Sequence, residues 1–151
     1  MILKAKEYFE GIRAEVVKTD KARDMLERIK AKEGAKAQSY TEGRRGGEVS
    51  DGSLSILQRI DFEDRLQRRI NDAQGMIDEA CELLYGQDGR GGLAKLKGTR
   101  YADAICMGYL QAQEWAEIAD IMQCSQQWCR ELCKAGFAYI DRVGWAKLKN
   151  A

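Results

Sequence analysis

The sequence contains no histidine and no proline, and its charges nearly cancel, with 25 Lys and Arg against 24 Asp and Glu. Without histidine, the chain lacks the commonest general base near neutral pH. Without proline, long helices can run without a kink. Because the net charge is only +1, the chain as a whole is not drawn to nucleic acid or anionic lipid, and any such contact needs a local patch.

Long apolar runs are also absent. The first residues, "MILKAKEYFEGIRAEVVK", are charged throughout, and no later segment approaches the roughly 18 consecutive apolar residues of a membrane span. We therefore expect a cytoplasmic protein without membrane contact.

Carboxylates such as Glu63 and Asp64 lie among Arg and Gln, which is typical of a solvated helix face. No set of residues suggests catalysis, so we expect neither an enzyme nor a cofactor.

Cysteines are few and scattered. The five are Cys81, Cys106, Cys124, Cys129 and Cys133, an odd number without a CxxC pair. A structural zinc site needs four ligands, and thiols at these spacings, with no histidine, do not suggest one, so we expect no metal. Reduced cysteine often serves as a small core residue in the cytosol, and Cys129 and Cys133 fall on one helical face.

The spacing of apolar residues predicts an all-α fold. A narrow stripe predicts a long amphipathic helix over residues 1–33, and a second long helix over 54–85 has apolar residues alternately four and three apart, as in a heptad seam. The segment between them, 34–53, is rich in Gly, Ser and charge, which predicts a flexible linker. Its "GRRGGEVSDG" could cradle an anion, but no strand precedes it and no GKS or GKT follows.

The two long helices have matching stripes, so we expect a coiled-coil-like hairpin within one chain or a pairing between two chains. The hairpin either only stabilises the chain or serves as an arm for a homodimer or another partner. Residues 86–98, "GQDGRGGLAKLKG", contain five glycines, which predicts a hinge. A C-terminal domain then covers 99–151.

Residues 115–129, "WAEIADIMQCSQQWC", predict two short amphipathic helices with barely a turn between them, the pattern of a helix-turn-helix. Small Ala119 would let the second helix cross closely. Gln123 stands where glycine with positive φ is usual, at a cost of about 1 kcal/mol. Ser125 is placed to cap the second helix. The predicted scaffold residues are Trp115, Ile118, Ala119, Met122, Cys129 and Leu132.

A helical wheel of the second helix predicts one buried face, consisting of Cys129, Leu132, Cys133, Gly136 and Ile140. The opposite face offers Gln and Arg, which suit adenine and guanine in the major groove. Trp128 lies on the flank, where it either touches DNA or completes a core. Lys134, Arg142, Lys147 and Lys149 could neutralise phosphates. The predicted DNA-binding residues are Ser125, Gln126, Gln127, Trp128, Arg130 and Lys134.

The segment "GYLQAQEWAEIADIMQCSQQWCREL" resembles region 4 of the sigma-70 family, in which a helix precedes a W-x-E-I-A helix, a tight turn and a serine-capped recognition helix. The layout of the whole chain resembles phage late-gene transcriptional activators of the autolysin-regulator type. This resemblance implies a phage or prophage regulator that binds promoter double-stranded DNA and acts with host RNA polymerase on packaging or lysis genes. Gln123 and the cysteines depart from the usual Gly and aliphatic residues.

Two alternatives compete with this interpretation. Residues 100–151 contain six basic and six acidic side chains, which is a poor balance for an independent DNA binder. A small terminase-like DNA-packaging subunit would share the helices but assemble into a ring. A helical adaptor without DNA affinity would use the same fold only to bind protein.

Overall fold

The computed structural model describes the backbone of residues 3–40 and 49–151, and the side chains of residues 3–32 and 56–151. Within these ranges the secondary structure is helical, without a strand. The helices are α1 (Ala5–Tyr40), α2 (Val49–Tyr85), α3 (Gly92–Leu96), α4 (Thr99–Ile105), α5 (Trp115–Met122), α6 (Gln126–Val143) and α7 (Trp145–Lys149). A π-helical turn, Cys106–Leu110, directly follows α4. The predicted all-α fold class is confirmed.

The two long helices extend further than the sequence predicted. α1 continues to Tyr40 and α2 already begins at Val49, so the predicted linker over 34–53 is corrected at both of its ends. Its first part, "GAKAQSY", contains Ala, Lys and Gln, which favour a helix, and one internal glycine costs only about 1 kcal/mol. The middle of the predicted linker, 41–48, lies outside the described residues.

One compact unit comprises Lys18–Asp72. Here Leu26 of α1 and Leu66 of α2 are buried, and Lys30 Nζ lies 3.0 Å from Glu63 Oε1. The hydrogen bond from Lys30 lowers the pKa of the Glu63 carboxyl. The two helices therefore meet within one chain, while the antiparallel coiled-coil seam stays a prediction.

The other compact unit joins the start of the chain, up to Val17, to residues 73–151. Phe9 of α1 stacks on Phe137 of α6, with ring centroids 5.4 Å apart, and the backbone N–H of Ala5 donates to Asp141 Oδ1 at 2.9 Å. The predicted separate domain over 99–151 is thus corrected, because its core includes the first turns of α1 and the last turns of α2. Their buried contributions are Ala5, Phe9, Ile12, Ala80, Leu83 and Leu84.

The glycine-rich segment 86–98 is a packed turn and not the predicted hinge. Gly86 and Gly92 adopt positive φ of 80° and 63°, a backbone conformation that residues with a side chain rarely adopt. A Cβ on Gly92 would lie 2.5 Å from the backbone oxygen of Leu83, and Leu93 next to it is fully buried. The glycines therefore allow α3 to pack tightly against the end of α2.

We predict that Gly92→Ala destabilises the protein by about 3 kcal/mol, combining about 1 kcal/mol of backbone strain with the displacement of a close backbone neighbour. Gly89→Ala is the matched control, because Gly89 has φ of 78° but a Cβ added there would have no neighbouring atom within 4 Å. It should lose only about 1 kcal/mol. Urea unfolding of both variants measures the difference, and equal losses would show that the segment is not tightly packed.

Candidate nucleic-acid interface

The two helices predicted as a helix-turn-helix are α5 and α6, joined by three residues. The N–H groups of Gln123 and Cys124 both donate to the oxygen of Ala119, which ends α5. Gln123 adopts φ of 56° and ψ of 49°, so the expected positive φ at this non-glycine residue is confirmed. Ser125 Oγ accepts a hydrogen bond from the N–H of Trp128 at 3.0 Å, which confirms its role as the N-cap of α6.

The buried face of α6 is the one that the helical wheel predicted, and Phe137 joins it. Gly136 allows the closest approach, since a Cβ there would lie 2.8 Å from Ile105 Cδ1 of α4. This packing anchors the C-terminal three turns of α6. In its first two turns, Cys129 and Leu132 bury the same face.

The α5 scaffold holds those first turns in place. Ile118 is fully buried, and Trp115 and Met122 pack against the core while remaining partly exposed. Trp115 lies over Gly108 of the π-turn, where a Cβ would come within 3.1 Å of the indole. The oxygen of Gly108 also accepts a hydrogen bond from the Arg13 guanidinium, so α1, the π-turn and α5 meet at this tryptophan.

All six predicted DNA-binding residues are solvent-exposed. Ser125, Gln126, Gln127 and Trp128 lie at the start of α6, and the remaining two lie one and two turns further on. Trp128 keeps 52% of its surface exposed, so the alternative that it completes the core is wrong. The Arg130 guanidinium lies 5.5 Å from the ring centroid of Trp115, which holds it on the exposed face by a cation–π contact.

A groove of about 750 Å³ runs beside this face, between the first turns of α1 and α6. Its aromatic wall contains Tyr109, Trp115 and Phe137, and α6 contributes Gln127, Arg130, Glu131 and Lys134. The N-terminal segment contributes Lys4, just before α1, and Lys6, Glu7 and Glu10 of α1. These four residues are not predictable from sequence, because they lie more than 100 positions from α6 and no local pattern signals such a contact. The groove carries charges of both signs.

Two of the cysteines touch at the turn. Cys124 Sγ and Cys129 Sγ are 3.2 Å apart, and burial raises the pKa of the Cys129 thiol. Burial also raises the pKa of Cys133, to about 12. In the part of the chain that the structure describes, no group of three or more Cys, Asp or Glu side chains is arranged to hold a metal ion.

Comparisons of the chain with protein families, with curated proteins and with solved structures found no match. The resemblance to sigma region 4 therefore stays a prediction that rests on the residues of α5 and α6.

None of the helices within the described ranges is long and apolar enough to cross a membrane.

We predict that Gln123→Gly raises the free energy of unfolding by about 0.5 kcal/mol, because the strain of a side chain at positive φ, about 1 kcal/mol, exceeds the unfolded-state entropy of about 0.5 kcal/mol that glycine adds. Gln111→Gly is the control, since Gln111 is exposed but has φ of −98°. There glycine relieves no strain, adds unfolded-state entropy and removes the side chain that accepts a hydrogen bond from Gln113, so it should cost about 0.5–1 kcal/mol. Thermal unfolding measures both, and a loss of stability in Gln123→Gly would contradict the argument.

The two tryptophans of this region should differ in their importance for stability. We expect Trp115→Ala to cost about 3 kcal/mol, because it removes an aromatic wall from a packed site. Trp128→Ala should change stability by less than about 1 kcal/mol, as is usual for an exposed position. Chemical denaturation of both variants tests this, and an equal cost would mean that Trp128 belongs to the core after all.

Proposed function

We propose that the protein is a sequence-specific DNA-binding transcription regulator that uses α6 as its recognition helix. One observation carries the proposal: the first two turns of α6 expose Gln126, Gln127, Trp128 and Arg130 on a face opposite a firmly packed one. Such a helix presents its N-terminal side chains to base edges while its far end stays anchored.

The chemistry of this face suits DNA. Glutamine can pair bidentately with adenine and arginine with guanine in the major groove, where each such pair contributes about 1–3 kcal/mol of discrimination. Exposed backbone N–H groups and the positive end of the helix dipole at Ser125 favour a phosphate nearby. Lys134, two turns along, is exposed and available to a second phosphate.

The charges around the face support a protein that does not act alone. Glu7, Glu10 and Glu131 line the groove together with the basic residues, and like charges repel the phosphate backbone. Affinity for DNA therefore needs a second contribution, either from host RNA polymerase or from a second copy of the chain. Exposed apolar residues in the unit Lys18–Asp72 support such a partner surface, and they are Met25, Ile56, Leu57 and Ile60.

The role that the resemblance to phage late-gene activators implies is activation of packaging or lysis genes together with the polymerase. In this proposal α6 selects the promoter, and the long helices bind the second copy or the polymerase. No step of catalysis is involved.

The first test is fluorescence anisotropy with labelled duplexes from the neighbourhood of the gene, at two salt concentrations. We expect selective, salt-sensitive binding by the wild type, and an affinity at least about 30-fold lower in Gln127→Ala/Arg130→Ala, because two base contacts of about 1–3 kcal/mol each are lost. The matched control is Gln87→Ala/Arg90→Ala, which removes the same residue types at the same spacing from an exposed turn. It should bind as the wild type does.

Folding has to be checked in parallel, since Arg130 also packs on Trp115. Circular dichroism and thermal unfolding should show that the double variant remains helical and cooperative. Equal binding by both double variants would exclude α6 as the DNA-reading element.

The acidic residues among the groove's mixed charges favour one other candidate function, a helical adaptor that binds protein. In that case no duplex should bind at low salt, with or without polymerase, while the protein remains folded. Selective binding to any duplex by α6 would exclude this candidate.

A further inference from the structure

We propose that Cys124 and Cys129 are a modification site, at which a small-molecule disulfide such as oxidised glutathione converts the two thiols into an intramolecular disulfide. The two residues occupy defined positions around the N-cap of α6. With Ser125 as the cap, Cys124 is the residue before it and Cys129 is the fourth residue of the helix. Apolar side chains at these two positions commonly pack together and fix the entry of the chain into a helix.

In this protein that packing pair consists of two sulfur atoms. The Sγ–Sγ distance is 3.2 Å, against about 2 Å in a disulfide. Closure needs a shift of about 1 Å, and it falls in a three-residue turn that includes the strained Gln123. Neither thiol is engaged in an existing disulfide.

The two thiols differ in their access to a reagent. Cys124 is partly exposed, whereas Cys129 is fully buried, and burial raises the pKa of Cys129. The Cys124 sulfur therefore attacks first, forming a bond to one sulfur of the small disulfide and releasing one small thiol. The Cys129 sulfur then attacks Cys124 and releases the second thiol. Both cysteine protons are lost, the cysteines are oxidised, and one small disulfide is reduced to two thiols.

The closed ring would contain Ser125, Gln126, Gln127 and Trp128. Oxidation would then fix the backbone that carries four of the exposed residues at the start of α6. The chemistry does not depend on what those residues bind. A change in DNA affinity on oxidation does rest on the proposed function.

The experiment treats the folded full chain with oxidised glutathione, blocks free thiols with an alkylating reagent, and digests with chymotrypsin. Cleavage after Trp128 separates Cys124 from Cys129, so their peptides stay linked only through a disulfide. We expect this linked species, carrying no alkyl group on either cysteine, and its disappearance after reduction. A stable glutathione adduct on Cys124 without the link, or a link between other cysteines, would overturn the proposal.

Two variants make the test specific. In Cys129→Ala, the first step can occur but the second cannot, so we expect glutathione to remain on Cys124. In Cys124→Ser, we expect no link and no adduct on Cys129. Cys106→Ser is the matched control, because Cys106 is also partly buried but lies outside the turn, and it should form the link as the wild type does. Adduct formation on Cys129 in Cys124→Ser would contradict the assigned order of attack.

The oxidised and reduced proteins can then be compared in the anisotropy assay. If the reduced wild type binds a duplex, we expect the oxidised form to differ severalfold in affinity and Cys124→Ser to be insensitive to glutathione. Disulfide formation without DNA binding in either state would count against the proposed function and not against the modification site.

Discussion

The close packing of α6 against α4 and α1 is the interaction on which the rest of the unit depends. Gly136 brings α6 onto Ile105, and Phe137 stacks on Phe9. Because interiors are packed as densely as organic crystals, these contacts fix the direction in which α6 leaves the core. The first turns of the helix are positioned by these contacts together with their own buried residues, Cys129 and Leu132.

Trp115 connects this core to the exposed face. It contacts Tyr109 edge to face, with ring centroids 6.3 Å apart. The guanidinium groups of Arg130 and Arg13 lie 5.5 and 6.0 Å from its ring centroid. One side chain therefore takes part in packing and also orients a candidate DNA contact. Because Arg130 packs on Trp115, we expect changes at Arg130 to act on stability as well as on the proposed DNA binding.

Local features of this fold were predictable from sequence because their causes are local. The helix cap at Ser125, the positive φ at Gln123 and the buried face of α6 follow from neighbouring residues alone. The packed glycine turn and the four N-terminal residues in the groove were not predictable. Composition shows that glycines bend the chain, but whether the bend is loose or packed depends on Leu83 and Leu93.

The hydrogen bond from Ala5 to Asp141 joins residues that are 136 positions apart, and this has a consequence for biosynthesis. The first helix is made long before α6 exists, by a delay on the order of 10 s at elongation rates of about 5–20 residues per second. During that time Phe9 and Ile12 have no α6 against which to pack. The nascent chain thus exposes an apolar helical stripe that a chaperone can recognise. The stripe becomes buried only after α6 has been made.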